Sequence, residues 1–335
     1  MNAPLGPDPD PVHGLMLLAD ADWRPLAAAH EQAADELTAS RRARARVGAS
    51  HPVEDFLFTY YRLRPGELRR WHPGVATALV GADGRAGWRH HRVVSTAAGV
   101  AVTVDAAALA RDRAGLVSLL RRLLPATDAA TPQFGCFGLH EWAMVYRPTT
   151  PPAGPLGAML PGGSRAAAPS SAEPDARRHR AWPLRLGQSG TDAVVEASAL
   201  RCSHYDAFRF FTPAAVPRNA TTPDVDHRVA NEQPACLHAG MDVYKWAYKL
   251  GPAVPGDLLL DAFRLARDIR AVDMRASPYD LGDLGYQPIA IETAAGKAEY
   301  VAHQRVFADR GRTLRRRLIA VVGQLVAPLV ADPRR

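Results

Sequence analysis

The chain has 335 residues, 47% of them hydrophobic and 22% charged, with a formal net charge of +7. That length suffices for one large domain or two ordinary ones, and the balance excludes a fibrous or wholly disordered chain. No apolar run reaches the roughly 18 residues of a membrane-spanning helix, and the modest basic charge permits acidic partners without requiring them.

Residues 1–20 read as a loose N-terminal tail. They carry acidic residues and no basic leader region, which speaks against a secretory signal. Three cysteines, an odd number, argue against a disulfide framework and for a reducing, cytoplasmic setting.

From Asp22, "DWRPLAAAHEQAADELTASRRARARVG" reads as a helix. Asp22 is placed to cap it, and the basic residues gather at its C-terminal end, where the helix dipole favours them. "HPVEDFLFTYYRLRPGELRRWHPG" follows, with Pro52 suited to a first helical turn and a break at Pro65-Gly66. Residues 75–104 hold β-branched runs parted by "ADG" and "AAG", the pattern of a small antiparallel meander. A helix over 105–124 is expected to end before Pro125.

Residues 148–180 are rich in Pro, Ala, Gly and Ser without apolar periodicity, and read as a disordered insertion. "CSHYDAFRFF" then reads as a short helix capped by Ser203, and "EQPACLHAGMDVYKWAYKLG" as a helix stopped by Gly251 and Pro252. "GDLLLDAFRLARDIRAVDMR" is a third helix, capped by Asp257. "YQPIAIET" suggests a further strand, and a long helix or kinked pair runs from about Thr293. The sum is a mainly α fold: a helical core with a small antiparallel β meander. Residues 21–147 and 181–331 are expected to share one domain around the insertion.

Three short stretches carry chemistry. Cys136 lies four residues before His140, Cys202 two before His204, and Cys236 two before His238. Each histidine also has a carboxylate near it: Glu141, Asp206 and Asp242. Imidazole and carboxylate together ligate zinc or iron, or run acid–base chemistry near neutral pH. The competing reading is three separate histidines satisfied within the core. The spacing matches no zinc-finger or HExxH pattern. His140 and Glu141 are adjacent, so on a helix they point about 100° apart. His140 is expected to face a common polar pocket with His204 and His238, and Glu141 to sit at its rim or pair with an arginine.

In "RDIRAVDMR", Arg267, Arg270 and Asp273 are spaced for ion pairs on a solvated helix face. The sharper alternative makes Arg267 and Arg270 a clamp for phosphate or carboxylate. "LRPGELRRWHPG" and "WRHHR" interleave tryptophan with basic residues, a composition that can stack bases and touch phosphates.

The blocks "HPVEDFLFTYYRLRPGELRRWHPG", "FGCFGLHEWAMVYR", "WPLRLGQSGTDAVVE", "CSHYDAFRFFT", "EQPACLHAGMDVYKWAYKL" and "LARDIRAVDMRASPYDL" resemble those of a bacterial family whose members carry the label "3-methyladenine DNA glycosylase". The resemblance covers most of the chain outside the insertion. It implies a DNA-repair N-glycosylase that flips an alkylated purine out of DNA and holds it between aromatic rings. Under it, Trp142, Tyr146, Tyr205, Trp246 and Tyr248 would stack the base, and Glu141, Asp206 or Asp242 would support cleavage of the N-glycosyl bond. The residues themselves point to an alternative, a metal-dependent or acid–base enzyme on a small molecule. It would use His140, His204 and His238, with zinc or iron as its ion. A non-enzymatic binding protein is a third class.

Overall fold

The structure, a computed structural model, describes residues 14–148 and 182–330. The expected insertion and most of the expected tail lie outside these residues.

The chain enters through strand β1 (Met16–Leu18) and helix α1 (Asp20–Arg46), followed by the short helices α2 (Phe56–Tyr60) and α3 (Pro65–Leu68). Strands β2 (Thr77–Val80), β3 (His91–Thr96) and β4 (Gly99–Val104) complete a sheet of order β1-β2-β4-β3. The sheet is mixed and not a pure antiparallel meander, because β1 runs parallel to β2 while the other pairs are antiparallel. A three-residue strand is too short to show alternation, so its pairing with the free edge of β2 is not visible in the sequence. Helix α1 starts two residues earlier than expected, with Ala19 at its cap position. Asp20, in its first turn, pairs with Arg24.

Alternate sheet residues point to opposite faces. Leu79 and Val102 pack with Trp23, Ala27 and Trp71, while Ala78, Val94 and Ala101 form the other face. Trp23 and Trp71 stack with ring centroids 6.4 Å apart, and the Arg85 guanidinium lies within 4.9–5.4 Å of Trp23, Trp71 and Trp88. The tryptophans of the two basic clusters thus gather around one half-buried cation, Arg85.

His72 lies beside this cluster. Burial, then His91 and Arg85, push its pKa down to about 3. The unfolded chain therefore binds a proton at His72 that the folded chain refuses between about pH 3 and the ordinary histidine value near 6.5. Stability should fall with pH through that window, by up to about 1.4 kcal/mol per pH unit from this group. His72→Asn should flatten the slope of melting temperature against pH below 6.5, measured as the difference from wild type. Parallel slopes would contradict this.

The helical core follows. It comprises α4 (Ala106–Asp112), α5 (Ala114–Ala129), α6 (Leu139–Ala143), α7 (Gly187–Glu196), α8 (Tyr205–Phe208), α9 (Arg228–Asn231), α10 (Leu237–Leu250), α11 (Gly256–Arg275) and α12 (Ala294–Val330). The region expected as one helix ending before Pro125 is two helices, and α5 continues through Pro125. Leu123, Leu124 and Thr127 are buried there, and their packing outweighs the one backbone bond that proline removes. His204, not Ser203, precedes α8, and Pro255, not Asp257, precedes α11. Residues 286–293 form no strand. Pro288 lacks a donor for a ladder, and Ile289 and Ile291 enter the core as irregular chain.

Helices α10, α11 and α12 pack against one another and α5 against α12. One apolar cluster runs through residues from Ala34 to Leu325, drawing on both sides of the insertion. At Gly240 a side-chain Cβ would lie 2.7 Å from Ile269 Cδ1, so glycine sets how closely α10 approaches α11. Among the described residues no helix is long and apolar enough to cross a membrane.

Candidate functional site

The stretch "GCFGLHEW" turns sharply before α6. Phe137 has φ +50° and Gly138 φ +71°. A Cβ on Gly138 would press on Ala276 at 3.3 Å and Tyr300 at 3.4 Å, so only glycine seats the turn against α11 and α12. The turn sets Cys136 Sγ 3.6 Å from His140 Nδ1. The opposite ring nitrogen, Nε2, lies 3.0 Å from Asp273 Oδ1 and 3.3 Å from Oδ2 on α11. The directed hydrogen bond goes to Oδ2, and Oδ1 has no directed donor among the described residues.

The three histidines converge. His238, in the first turn of α10, meets His140 edge-on with ring centroids 4.6 Å apart, and His204 lies on its other side at 5.4 Å. His140 and His204 are both engaged with carboxylates, whereas no hydrogen bond of the described residues involves the His238 ring.

Two polar networks flank His238. In the first, Arg270 binds Glu141 at 2.8 Å and Asp273 at 3.4 Å, and its guanidinium caps the Phe56 ring at 3.9 Å. Arg270 and Asp273 are 2% and 0% exposed. In the second, Arg228 binds Glu232 and Asp242, and Lys245 binds Asp206 at 2.7 Å and Asp242 at 3.1 Å. The Tyr61 hydroxyl donates to Asp242 Oδ1 at 3.3 Å. His204 Nε2 lies 3.2 Å from Glu232 and 3.4 Å from Asp242.

Burial opposes charge on these groups, but their partners win. Asp273 outweighs burial at His140 and holds its pKa well above the usual value. His204, likewise buried, is lifted to about 9 by Glu232 and Asp242. Asp273 is pulled down to about 2 against its own burial by His140. Asp242, equally buried, is held far below the carboxylate range by Lys245, His204 and Arg228. His238 has no such support: burial and the neighbouring His140 push it down to about 3, so it is a neutral imidazole with an available lone pair. With His140 and His204 protonated, positive and negative charges balance in the first network; in the second, Arg228, Lys245 and His204 face Glu232, Asp242 and Asp206, and the exposed Arg209 adds a cation 3.7 Å from Asp206.

Two donor groups meet metal-ligand spacing. His140, His238 and Asp273 offer atoms within 4.8 Å of one another, as do His204, Asp206 and Asp242. They differ in what already holds them. Arg228 and Lys245 sit on the carboxylates of the second group and occupy the place of an ion. In the first group His140 and Arg270 lie on the Asp273 carboxylate, and the His238 ring makes no hydrogen bond among the described residues.

The remaining candidate residues are scattered. Trp142 is fully buried and donates its indole N–H to Ala276 O at 2.9 Å. Tyr146 is buried with its hydroxyl on Glu196. Trp246 is buried against Arg228, Lys245 and Lys249. Tyr205 is half-buried, and the Asp206 side chain, 15% exposed, reaches further out than those of Glu141 or Asp242. Arg267 is exposed and pairs with Asp268, so it forms no clamp with the buried Arg270. The solvated face expected for Arg270 and Asp273 is instead an inner face. They continue the stripe Leu259, Phe263 and Ala266 of α11, a periodicity that could have shown it. Arg228, Glu232 and Lys245 were missed; the i,i+4 pair Arg228–Glu232 and the i,i+3 pair Asp242–Lys245 were the available signals.

No family model matches the chain, and neither the curated proteins nor the solved structures contain a match.

Proposed function

We propose that the chain is an enzyme acting on a small molecule through one divalent transition-metal ion, zinc or iron, held by His140, His238 and Asp273. The carrying observation is the neutral His238 ring, without a hydrogen bond among the described residues, beside Asp273 Oδ1, which has no directed donor. Two imidazoles and one carboxylate leave coordination positions for water and substrate with either ion. Cys136, on the far edge of the His140 ring, fixes which nitrogen faces the ion. His204 stands next to His238 as the acid–base group.

The N-glycosylase reading has its own support in the resemblance and in one observation. Asp206 is partly exposed beside the half-buried Tyr205, an arrangement open to a large substrate. Against it, Trp142, Tyr146 and Trp246 are packed in the core and present no open face for a flipped base.

The test is calorimetric titration of chelator-treated protein with zinc and, without air, with ferrous iron. One ion per chain is expected. His238→Ala should weaken binding about 100-fold or more, or about 3 kcal/mol. Because that ring makes no hydrogen bond among the described residues, the fold should persist. Release of 3-methyladenine from alkylated DNA by the chelator-treated protein, with no ion bound, would instead support the glycosylase reading.

A further inference from the structure

Of the three residues proposed to hold the ion, His140 and Asp273 are 2% and 0% exposed, whereas His238 is half-buried. His238 and His140 both line a narrow cleft. The cleft has about 10 Å³ of room, enough for one water-sized group. A larger molecule can therefore send only one small group inward and must keep the rest at the mouth.

The lining is electrostatically one-sided. Arg201 contributes a guanidinium, and no carboxylate lines the cleft among the described residues. Arg201 precedes α8 and is exposed, with its stem laid across Gly135, where a Cβ would lie 3.5 Å from Arg201 Cδ. Arg228, Lys245 and Arg270 around the histidines are each tied to carboxylates. Arg201 has no ion pair among the described residues, so its charge is open to an incoming anion.

Gln304 of α12 stands in the same lining. Its side chain is 1% exposed, donates to Ala235 O at 2.7 Å, and leaves Oε1 buried without a partner. Such an acceptor costs free energy unless a donor meets it. A bound water would meet it, but a water alone gives Arg201 no counter-charge. One molecule with an anionic group and a hydroxyl answers both, its hydroxyl taking the place of that water.

We propose that the substrate is a small hydroxylated organic anion, with its carboxylate at Arg201 in the mouth of the cleft and its hydroxyl turned inward to donate to Gln304 Oε1. As a substrate class it rests on the ion reading of His140, His238 and Asp273. The binding contacts themselves belong to Arg201 and Gln304 and need no ion. A charge-assisted contact at the mouth and a buried neutral one within together select for both groups of the molecule.

The test titrates full-length protein, zinc-loaded and chelator-treated, with glycolate, acetate and glycolamide at fixed ionic strength, read by calorimetry. Acetate lacks the hydroxyl and glycolamide lacks the charge. Glycolate should bind about 10-fold or more tighter than either. The same order should hold without the ion, since Arg201 and Gln304 set it. Arg201→Gln, a change at an exposed position, should bring glycolate down to the level of glycolamide. Zinc uptake is measured separately, so the two readings fail separately. Protein that takes up no zinc would overturn the centre, and the order of the probes on the ion-free chain would still decide the anion site. Glycolate binding no more tightly than acetate or glycolamide, or an Arg201→Gln protein that keeps the full preference over glycolamide, would overturn the substrate class whether or not zinc binds.

Discussion

Arg270→Met should lower the unfolding free energy by about 3–5 kcal/mol. Arg270 is the fixed cation of a closed network: it binds Glu141 at 2.8 Å and Asp273 at 3.4 Å, and all three are buried. With it gone, one imidazolium, His140, faces two carboxylates, and Glu141 Oε2, already without a partner among the described residues, becomes part of an uncompensated charge. The cost is that of the stranded anion rather than of a lost contact. Removing the anion as well should therefore restore stability. The double variant Arg270→Met, Glu141→Leu should denature closer to wild type than Arg270→Met alone. Denaturant midpoints of the four proteins in this cycle check it. A double variant as weak as the sum of its singles would show that the network's charge balance is not what holds this region.

Arg228→Met should be as damaging, again about 3–5 kcal/mol, for the same reason on the other side of His238. Arg228 binds both Glu232 and Asp242; Lys245 and Arg209 reach Asp206, so without Arg228 the buried Glu232 keeps only His204 within ion-pair distance among the described residues. The excess buried carboxylate in the variant would have its pKa raised above the unfolded value. The folded variant then takes up a proton as pH falls, so its deficit relative to wild type should narrow toward the carboxylate range. Arg270→Met should show the same trend, whereas a packing defect would leave the gap constant with pH. Chemical denaturation of wild type and variant across pH measures it.

The mainly α character was legible because long helices carry their own signals. The Ala-rich α1 and the glycine stop after α10 can be read from local sequence. The strand β1 was not, since three residues carry no period and its parallel pairing with β2 depends on a partner far along the chain. Pro125 misled because proline's cost is local while the burial of Leu123, Leu124 and Thr127 is tertiary.

The candidate site divides in the same way. Repeated Cys/His pairs pointed to the three imidazoles, which meet with ring centroids 4.6 and 5.4 Å apart. Their partners were harder. Asp273 reads as one of many charges in an arginine-rich helix, and only the inward stripe of α11 marks it as buried. Arg228 opens a four-residue helix and Glu232 follows its end, a stretch too short to reveal a face. The aromatic residues near the histidines invited a stacking role, yet Trp142 and Trp246 are core, because the same ring that stacks a base also fills volume.

An ion held by His140, His238 and Asp273 should be directly visible. The most direct measurement is the anomalous X-ray signal of crystals grown from protein titrated with one equivalent of zinc, collected on both sides of the zinc edge. A peak is expected within about 2–2.2 Å of a nitrogen of both imidazoles and an oxygen of Asp273, absent from His238→Ala crystals treated alike. Fully titrated crystals with no peak between these three side chains would contradict it.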